Sequence, residues 1–410
     1  MSSANQIDLP AIYADLHAHP ELSFQETRTA GIVSEHLEAA GYSVTPGVGK
    51  TGVVGVLERG EGPTVMLRAD MDALPVKELT GLDYASTQTA TLPDGTTTPV
   101  MHACGHDLHT TCLIGAASAL AADTSWQGKL IVVFQPAEEV GKGARAMVTD
   151  GLFERFGRPS IVLGQHVSPL PTGSIGIRPG PAFAASDSLK VTLFGQGGHG
   201  SRPETTVDPV VMASMLVVHL QTIVSREVAG GDTAVVTVGS LHAGTAGNII
   251  PDEAELKLSV RTFDPHVRDV ILNRIERITN AEAQAAGAPK EPSIELVESF
   301  PAVVNAPEAA AELQAAFQKA LPEVMIVDPG TVTGSEDVGI LAQEAGAQCM
   351  YWLLGGADAD QFQGATSVDE ITRRVAEQPS NHSPFYAPVQ QPTIQIGTEA
   401  LVAAAKTWLA

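Results

Sequence analysis

Apolar residues in the first part of the chain follow two different spacings. Around residues 25–40 they recur every three or four positions, which predicts a helix ending at Gly41. Short uninterrupted apolar runs predict buried strands at 52–57, 64–67, 130–134 and 161–164. Further helices are predicted at 107–122, with Asp107 as its cap, and at 143–150. Buried strands that alternate with helices indicate a parallel sheet covered by helices.

The pattern changes between residues 187 and 299. Strands are predicted at 189–194, 234–241, 253–263 and 293–298, with helices at 207–227 and 267–286. This β-α-β-β-α-β order is typical of a ferredoxin-like unit. The earlier alternation then returns with a helix at 307–320, a strand at 350–354 and a final helix ending at Leu409, while the long polar stretch 355–379 is predicted to be a mobile loop. We interpret the chain as an α/β domain interrupted by an inserted α+β domain.

Length, charge and cysteine content narrow the class of protein. A chain of 410 residues exceeds the size at which one hydrophobic core keeps growing, so two domains are expected. The formal net charge of -23 and the lack of Lys and Arg clusters argue against nucleic acid and membrane surfaces as partners. Three scattered cysteines, no secretory signal pattern and no run of about 18 apolar residues predict a cytoplasmic protein.

Ligand-type side chains concentrate just before the predicted helix at 107–122. His102, Cys104 and His106 alternate along HACGH, so an extended chain would place all three on one face. Thiolate and imidazole both bind borderline transition metals. A single cysteine or histidine is usually core or surface filler, but three such residues within five positions favour a functional site.

Carboxylates and another histidine follow the predicted strands. Glu138 and Glu139 come just after strand 130–134, His166 follows 161–164, and Asp70 and Asp72 follow 64–67. Because parallel strands place their carboxyl ends along one edge, where α/β sheets bind ligands, these groups are expected to converge. One of the adjacent glutamates can bind a metal while the other transfers a proton.

Further polar candidates are scattered through the second half of the chain. Glycines around His199 describe a flexible turn that presents its side chain. Taken singly, each of these residues also fits a turn, cap or surface position. The candidates are His199, Asn248, Arg261, Glu336, Asp337 and His382.

Seven ordered motifs spread from Leu16 to Pro384 give the chain a family resemblance. It resembles the amidohydrolase branch of the aminoacylase and carboxypeptidase clan of metallopeptidases, a branch that includes hippurate hydrolases and plant auxin-conjugate hydrolases. The resemblance implies an α/β fold with a zinc-peptidase-like mixed sheet covered by helices and an inserted ferredoxin-like lid. The expected bounds are 1–184 and 300–410 for the catalytic metal-binding domain and 185–299 for the lid. The motifs are LHAHPELSFQE, RADMDALP, HACGHDLHTT, FQPAEE, GGHGSRP, GTAGNIIPDEA and NHSP.

The resemblance also implies roles for individual residues. Glu138 corresponds to the general base, and Asp70 would orient the site. Asn248 and Arg261 correspond to residues that hold the substrate's carboxylate. His199 would reach a partner's site in a homodimer formed through the edge strand of the lid. The implied ligands of two divalent ions, which can be Zn, Mn, Co or Ni, are Cys104, His106, Glu139, His166 and His382.

Two departures from the wider clan stand out. Arg68 occupies the place where the wider clan has a metal-binding histidine, which would explain a need for Cys104 and His106. Val338 follows the GSED sequence where phenylalanine is more familiar, so the resemblance does not define the shape of the acyl-side pocket.

The predicted reaction is hydrolysis of the amide bond of N-acyl amino acids or related small conjugates by a metal-activated water. Three alternatives stay open. A cysteine hydrolase would use Cys104 as nucleophile and His106 as base and would resist chelators. A peptidase of the same clan is the second alternative, either a carboxypeptidase or a dipeptidase or aminopeptidase, and the last two would prefer substrates with a free α-amine. A non-catalytic protein would bind a ligand or metal at a relict site, against which the intact Glu138 speaks.

Overall fold

The chain folds into two compact units. The computed structural model describes residues 7–365 and 367–409. The first unit runs up to Ala182 and includes Val304–Gly330 and the chain from Asp337 onward, and the second comprises Phe183–Val303 and Thr331–Glu336. These divisions lie close to the expected boundaries at 184/185 and 299/300, although Thr331–Glu336 was not expected in the second unit. The roles of the units as catalytic and lid domains stay predictions at this point.

An eight-stranded mixed sheet forms the centre of the first unit. Its middle strands are parallel, whereas a hairpin at one side and a short strand near the other add antiparallel pairs. The sheet is therefore mixed, as the resemblance implies, and not wholly parallel, as the alternation of strands and helices suggested. In order across the sheet, the strands are Ser43–Val48, Gly52–Arg59, Gly128–Gln135, Thr64–Asp70, Ile161–Pro171, Gln348–Ala357, Ser174–Gly176 and Met325–Val327.

Helices cover this sheet and complete one hydrophobic core. Buried aromatic side chains such as Phe134, Phe317 and Trp352 lie at its centre, with Phe317 and Trp352 packed edge to face. The helix His106–Ala122 is buried on nearly every side. Its second half is apolar almost all round, and the polar side chains of its first turns are buried as well. The helices of this unit are Leu9–Ala18, Thr27–Ala39, His106–Ala122, Gly143–Thr149, Leu152–Phe156, Pro307–Ala320, Val338–Ala345, Val368–Glu377 and Thr393–Trp408, with a 3₁₀ turn at Ala359–Phe362.

Two local predictions in this unit are wrong. Asp107 does not cap its helix: the cap is Gly105, whose positive φ of 84° suits glycine, and the Asp107 carboxylate instead contacts His17 at 2.6 Å. The stretch 355–379 is not one long loop, because it contains the end of a buried strand and the helix Val368–Glu377. Its apolar residues Val368, Ile371 and Val375 do recur at helical spacing, but the polar composition of the stretch as a whole outweighed them.

The second unit has the ferredoxin-like arrangement predicted for it. Four antiparallel strands carry two helices, Pro209–Thr222 and Pro265–Ala286, and the first continues as the π-helical turn Ile223–Glu227. Side chains from both helices and the sheet form a separate core. In order across the sheet, the strands are Ala234–Ala243, Glu253–Thr262, Ala185–Phe194 and Ser293–Phe300.

The helical stretch Pro209–Glu227 is long and apolar enough to cross a membrane, judged by length and composition alone. Its Met212, Leu216 and Leu220 side chains pack into the core of the second unit. Short strands elsewhere in the chain are Thr89–Thr91, Thr97–Pro99, Gly180–Phe183, Gly198–His199, Ile249–Ile250 and Val303–Asn305.

Candidate metal centre

The carboxyl ends of neighbouring parallel strands bring the first group of candidates together. Strand Thr64–Asp70 lies between Gly128–Gln135 and Ile161–Pro171 and is parallel to both. Asp70 ends its strand, while Glu138 lies three residues beyond Gln135. These carboxylates therefore lie at one edge of the sheet, as the ends of the predicted strands indicated.

A sharp turn after Gln135 sets the direction of Glu138 and Glu139. Ala137 has φ of 51°, a left-handed conformation that non-glycine residues seldom adopt. The backbone N–H groups of Glu138 and Glu139 donate to the two carboxylate oxygens of Asp72, at 3.0 and 3.1 Å. Gly143 leaves room for this turn, because a Cβ there would lie 1.5 Å from the Pro136 carbonyl oxygen.

The five residues expected to bind metal lie in one cluster. Cys104 Sγ is 3.5 Å from His166 Nε2, and His382 Nε2 is 3.3 Å from a carboxylate oxygen of Glu139. His106 Nε2 is 3.8 Å from the other Glu139 oxygen. Three overlapping sets have their ligand atoms within 4.8 Å of one another: Cys104, His106 and His166; Cys104, Glu139 and His382; and His106, Glu138 and Glu139.

A short loop from the end of the chain closes the cluster. His382 has φ of 71°, and its backbone N–H donates to the Ala103 carbonyl at 2.8 Å. The side-chain amide of Asn381 donates to the carbonyl oxygens of Cys104 and Val167, each at 3.2 Å. These bonds hold the NHSP segment beside HACGH, although 277 residues separate Asn381 from Cys104.

Asp70 lies behind the ligand cluster. Its carboxylate contacts His109 Nδ1 and Arg68 Nη1, both at 2.6 Å. The same guanidinium donates to Asp337 at 3.0 Å and to Gln135 at 2.9 Å. The charges of His106, Arg68 and His109 outweigh burial and hold the pKa of Asp70 well below its usual value. These contacts agree with an orienting role, since Asp70 stays ionised between two fixed partners.

Asp72 is a functional candidate to which the sequence gave no specific role. One of its oxygens lies 3.3 Å from His106 Nδ1, on the opposite side of the ring from Nε2. The carboxylate therefore fixes the ring so that Nε2 faces Glu138 and Glu139. Its position two residues after Asp70 was the only available signal, because the backbone amides that it accepts from lie 66 and 67 residues away.

Burial and crowding of charge make this cluster costly in the absence of cations. Burial and the charges of Asp72 and Asp70 raise the pKa of Glu139 to about 8 against the opposing effect of His106. Burial, helped by the charge of Glu139, also raises the pKa of the Cys104 thiol well above its usual value. Divalent cations would favour the ionised forms of both groups, since thiolate and carboxylate are the forms that coordinate metals.

Buried polar atoms also fit resident metal ions. His106 Nε2 and one oxygen of Glu139 are buried and have no hydrogen-bond partner among the described residues. An uncompensated buried polar atom is costly, and a coordinated cation would satisfy each of these. Sulfur, imidazole nitrogen and carboxylate oxygen are together suited to a divalent transition metal. The donor set therefore fits a two-metal centre.

His199 and Asn248 are neighbours in the second unit. Strand Gly198–His199 pairs with Ile249–Ile250, and the Gly200 N–H donates to the Asn248 carbonyl at 2.8 Å. Ser201 contacts His199 Nδ1 through its hydroxyl at 2.7 Å and its backbone N–H at 3.1 Å. The Ser201 backbone donor leaves Nδ1 as an acceptor, so the exposed Nε2 of His199 carries the proton of the neutral ring.

Arg261 lies on the central strand Glu253–Thr262 of the second unit. Its Nη1 donates to the Thr333 carbonyl at 3.0 Å and to the Ser335 hydroxyl at 2.5 Å. The segment Thr331–Glu336, although distant in sequence, therefore folds with this unit and fixes the guanidinium. The placement of each predicted residue is thus clear, but the role of the three residues in the second unit stays a prediction.

Comparison with known proteins supplies the family. Residues 66–378 match the model of peptidase family M20/M25/M40. The chain is 45% identical to hippurate hydrolase of Campylobacter jejuni over 282 residues, covering 68% of this chain and 71% of that one. It is 36% identical to N-acetyl-L-cysteine deacetylase of Bacillus subtilis over 365 residues, covering 88% and 84%.

A solved structure shares the architecture. The YXEP protein of Bacillus subtilis, described as a dinuclear metal binding peptidase from the M20 family, superposes with a TM-score of 0.76. The two chains are 27% identical, and the match covers 98% of each. These findings confirm the resemblance, the fold class and the expectation of a metal-dependent hydrolase. The chain belongs to peptidase family M20/M25/M40, in its amidohydrolase branch.

Proposed function

We propose that this enzyme cleaves the amide bond of N-acyl amino acids or related small amide conjugates. The observation that carries the proposal is the position of Glu138, whose carboxylate lies 4.0 Å from His106 Nε2 inside the ligand cluster. The relatives named for hydrolysis of hippurate and deacetylation of N-acetyl-L-cysteine support this substrate class. The proposed metal ligands are Cys104, His106, Glu139, His166 and His382.

Glu138 is the proposed general base and acid. When bound, two divalent cations lower the pKa of water and polarise the amide carbonyl. Glu138 takes a proton from the attacking water and returns it to the departing amine nitrogen. Asp70 and Asp72 act on the site indirectly, since their contacts fix His109, His106 and the backbone of Glu138. Among Zn, Mn, Co and Ni, cellular supply would select the native pair.

Substrate recognition is assigned to the second unit. We propose that Arg261 pairs with the α-carboxylate of the substrate, because its planar guanidinium can make two parallel hydrogen bonds. Asn248 supplies a further hydrogen bond to that carboxylate. His199 stabilises the oxyanion that forms on the amide carbonyl, using the proton on its exposed Nε2.

A homodimer through one edge of the second unit is part of the proposal. The edge strand Ala234–Ala243 has no charged residue, although exposed edge strands usually carry charges that discourage pairing. Helix Pro209–Thr222 packs next to this strand and exposes Val211, Met215 and Val218, which are 59%, 44% and 59% exposed. The opposite edge strand Ser293–Phe300 carries glutamates, so the uncharged edge is favoured for self-association.

The dimer is tested by the double variant Val211→Asp/Met215→Asp. Sedimentation should show monomers for this variant and dimers for the parent. The matched control is Leu296→Asp/Val297→Asp on the opposite edge, where the two side chains are 50% and 55% exposed. If the control is monomeric and the first variant stays dimeric, the interface lies on the opposite edge, at strand Ser293–Phe300, and the proposed edge is wrong.

We further infer that the enzyme works in the cytoplasm on small molecules, without nucleic acid or membrane partners. Cys104, Cys112 and Cys349 are all free thiols, which suits a reducing compartment. The net charge of -23 opposes binding to nucleic acid and anionic lipid. Fractionation of cells and assay of each fraction would test the compartment.

The activity is tested with Glu138→Gln on a panel of N-acyl amino acids. Losing the proton-transferring group should lower kcat by roughly 10²- to 10⁴-fold. Glu58→Gln, which changes an exposed glutamate paired with Lys129, serves as the matched control and should keep parental activity. Parental activity in Glu138→Gln would show that the base is assigned wrongly.

Two further assays separate the alternatives. Chelation should abolish activity, whereas a cysteine hydrolase would keep it. A dipeptide and its N-acyl counterpart, compared side by side, distinguish an amidohydrolase from a dipeptidase. If the parent enzyme cleaves the dipeptide with the free α-amine faster than its N-acyl counterpart, the dipeptidase is favoured.

The cross-subunit role of His199 needs its own test. Mixed dimers of the inactive Glu138→Gln and His199→Ala variants should recover part of the activity, because one of the two sites would contain both intact residues. Activity no higher than that of the separate variants would rule out the exchange of His199 between subunits.

A further inference from the structure

Glu26 is a buried carboxylate that belongs to none of the ligand sets. It precedes helix Thr27–Ala39 and is completely buried. One oxygen accepts from the backbone N–H groups of Phe24 and Ala137, both at 2.9 Å. The other accepts from the Thr51 hydroxyl. Because burying a carboxylate is costly, its contact with Ala137, 111 residues away, calls for an explanation.

Residues Ala137, Glu138 and Glu139 form what we call the catalytic turn. Their three consecutive backbone N–H groups donate to two buried carboxylates. The Ala137 N–H donates to Glu26, and the N–H groups of Glu138 and Glu139 donate to Asp72. Together the two carboxylates fix the direction of the chain through the turn. Glu26 holds Ala137, the first residue of the turn, and the conformation of Ala137 sets the direction of the Glu138 side chain.

The turn needs this support because Ala137 has φ of 51°. A non-glycine residue in this region is disfavoured, and a shift to the ordinary region would redirect Glu138. A buried acceptor for the Ala137 N–H can offset the cost of one left-handed residue, because leaving that N–H without a partner costs a comparable free energy.

We propose that Glu26 is a positioning residue that holds Ala137 in its left-handed conformation and thereby aims Glu138 at the reacting water. This inference rests on the proposed role of Glu138 as general base. Glu26 itself contacts neither the ligand atoms nor the substrate in this account.

The hydrogen bond does not depend on the charge of Glu26. Burial and the charge of Asp72 raise the pKa of Glu26 to about 7. A protonated carboxyl or an amide can still accept from Phe24 and Ala137 through one oxygen, while its other end donates to the Thr51 hydroxyl. Glutamine should therefore replace Glu26 without moving the turn.

The test compares three variants. Glu26→Leu removes the acceptor, and a displacement of Glu138 by about 1 Å should lower kcat roughly 100-fold while KM stays within about threefold. Metal content should remain that of the parent. Glu26→Gln should keep kcat within about fivefold of the parent.

Glu21→Leu is the matched control, because Glu21 also accepts backbone amides at the start of the same helix, from Arg28 and Thr29, both at 2.9 Å. It does not reach the catalytic turn and should lower stability while leaving kcat within about threefold. A folded, metal-loaded Glu26→Leu enzyme with parental kcat would overturn the inference. An equal loss of kcat in Glu21→Leu or in Glu26→Gln would overturn it as well.

Should Glu26→Leu fail to fold, Glu26→Asp replaces it, since its shorter side chain cannot span the distance to Ala137. A kcat loss of roughly tenfold or more is then expected, and parental kcat would refute the positioning role.

Hydrogen exchange gives a readout that does not need activity. The peptide containing Ala137 should exchange faster in Glu26→Leu than in Glu21→Leu, and equal protection would again count against the inference. An inactive parent with this exchange pattern would mean that the proposed function fails while the role of Glu26 in the turn stands.

Discussion

The candidates in the two units are held in very different ways. In the first unit, His106 is fully buried, Glu138 is 7% exposed, and contacts from distant parts of the chain fix both. In the second unit, His199 and Asn248 are exposed. A turn contact from Ser201 holds the His199 ring, and a backbone hydrogen bond from Gly200 holds Asn248. The first group is preorganised for chemistry, whereas the second group would gain its role only when substrate or a second subunit binds.

The largest expected effect comes from removing a buried ligand. Cys104→Ala should lose metal and lower kcat/KM by at least about 10³-fold, because the remaining donors cannot complete the cluster. Metal analysis and steady-state kinetics measure this. Cys112→Ala removes a buried thiol from the helix His106–Ala122, which follows Cys104, and as the matched control it should retain metal. Full metal occupancy in Cys104→Ala would remove Cys104 from the ligand set.

The next largest effect is expected at His199, an exposed residue of the second unit. His199→Ala should lower kcat by roughly 10²- to 10³-fold without loss of metal, as expected for removal of one oxyanion donor. His266→Ala, which changes an exposed histidine at the start of helix Pro265–Ala286 in the same unit, should leave kcat unchanged. Loss of metal in His199→Ala would mean that the two regions are not functionally separate.

A smaller effect is expected for the carboxylate partner. Arg261→Lys should raise KM by roughly 10-fold or more, because lysine cannot reproduce two parallel hydrogen bonds, while kcat changes less. Arg226→Lys on the surface of the same unit provides the comparison. KM is measured for N-acyl amino acids and for their amide analogues, which lack the carboxylate. An unchanged KM of Arg261→Lys for the N-acyl amino acids would contradict the assignment of Arg261.

The smallest effect on activity is expected at His17, behind the metal cluster. Burial alone would lower its pKa, but Asp107 and Glu78 raise the pKa to about 10. A raised pKa means that His17 stabilises the fold fully below pH 6.5 and loses this contribution as pH rises through 10. His17→Gln should lower the free energy of unfolding by about 3 kcal/mol at neutral pH, since it leaves two buried carboxylates without a cation.

Urea unfolding between pH 6.5 and 10 measures the His17 effect, and the variant should lose less stability than the parent across that range. His219→Gln, which removes a partly exposed contact with Glu282 in the second unit, should change stability by less than about 1 kcal/mol. A parent whose stability does not fall with rising pH would show that His17 is neutral in the fold.

The same contrast explains what the sequence could predict. Strand ends placed Asp70 and Glu138 on one edge because parallel strands share a direction, and that inference needs only hydrophobic patterns. The roles of Asp72 and Glu26 escaped prediction because both act through backbone amides of residues 66 to 111 positions away. Sequence spacing carries no signal for such a contact.

Short-range misjudgements had other causes. Asp107 has the chemistry of a helix cap, yet its carboxylate contacts the buried His17 and Gly105 is the cap residue. The inclusion of Thr331–Glu336 in the second unit depends partly on hydrogen bonds from Arg261, some 70 residues earlier. Tertiary contacts decided both cases against local preference.

The central claim is that groups from distant segments surround two cations beside Glu138. A crystal structure of the metal-loaded enzyme, with anomalous scattering recorded at the metal's absorption edge, tests it directly. The account predicts two peaks about 3.5 to 4 Å apart, both within reach of the five-ligand cluster and of Glu138. A single peak, or peaks bound elsewhere while Cys104, Glu139 and His382 stay uncoordinated, would contradict it.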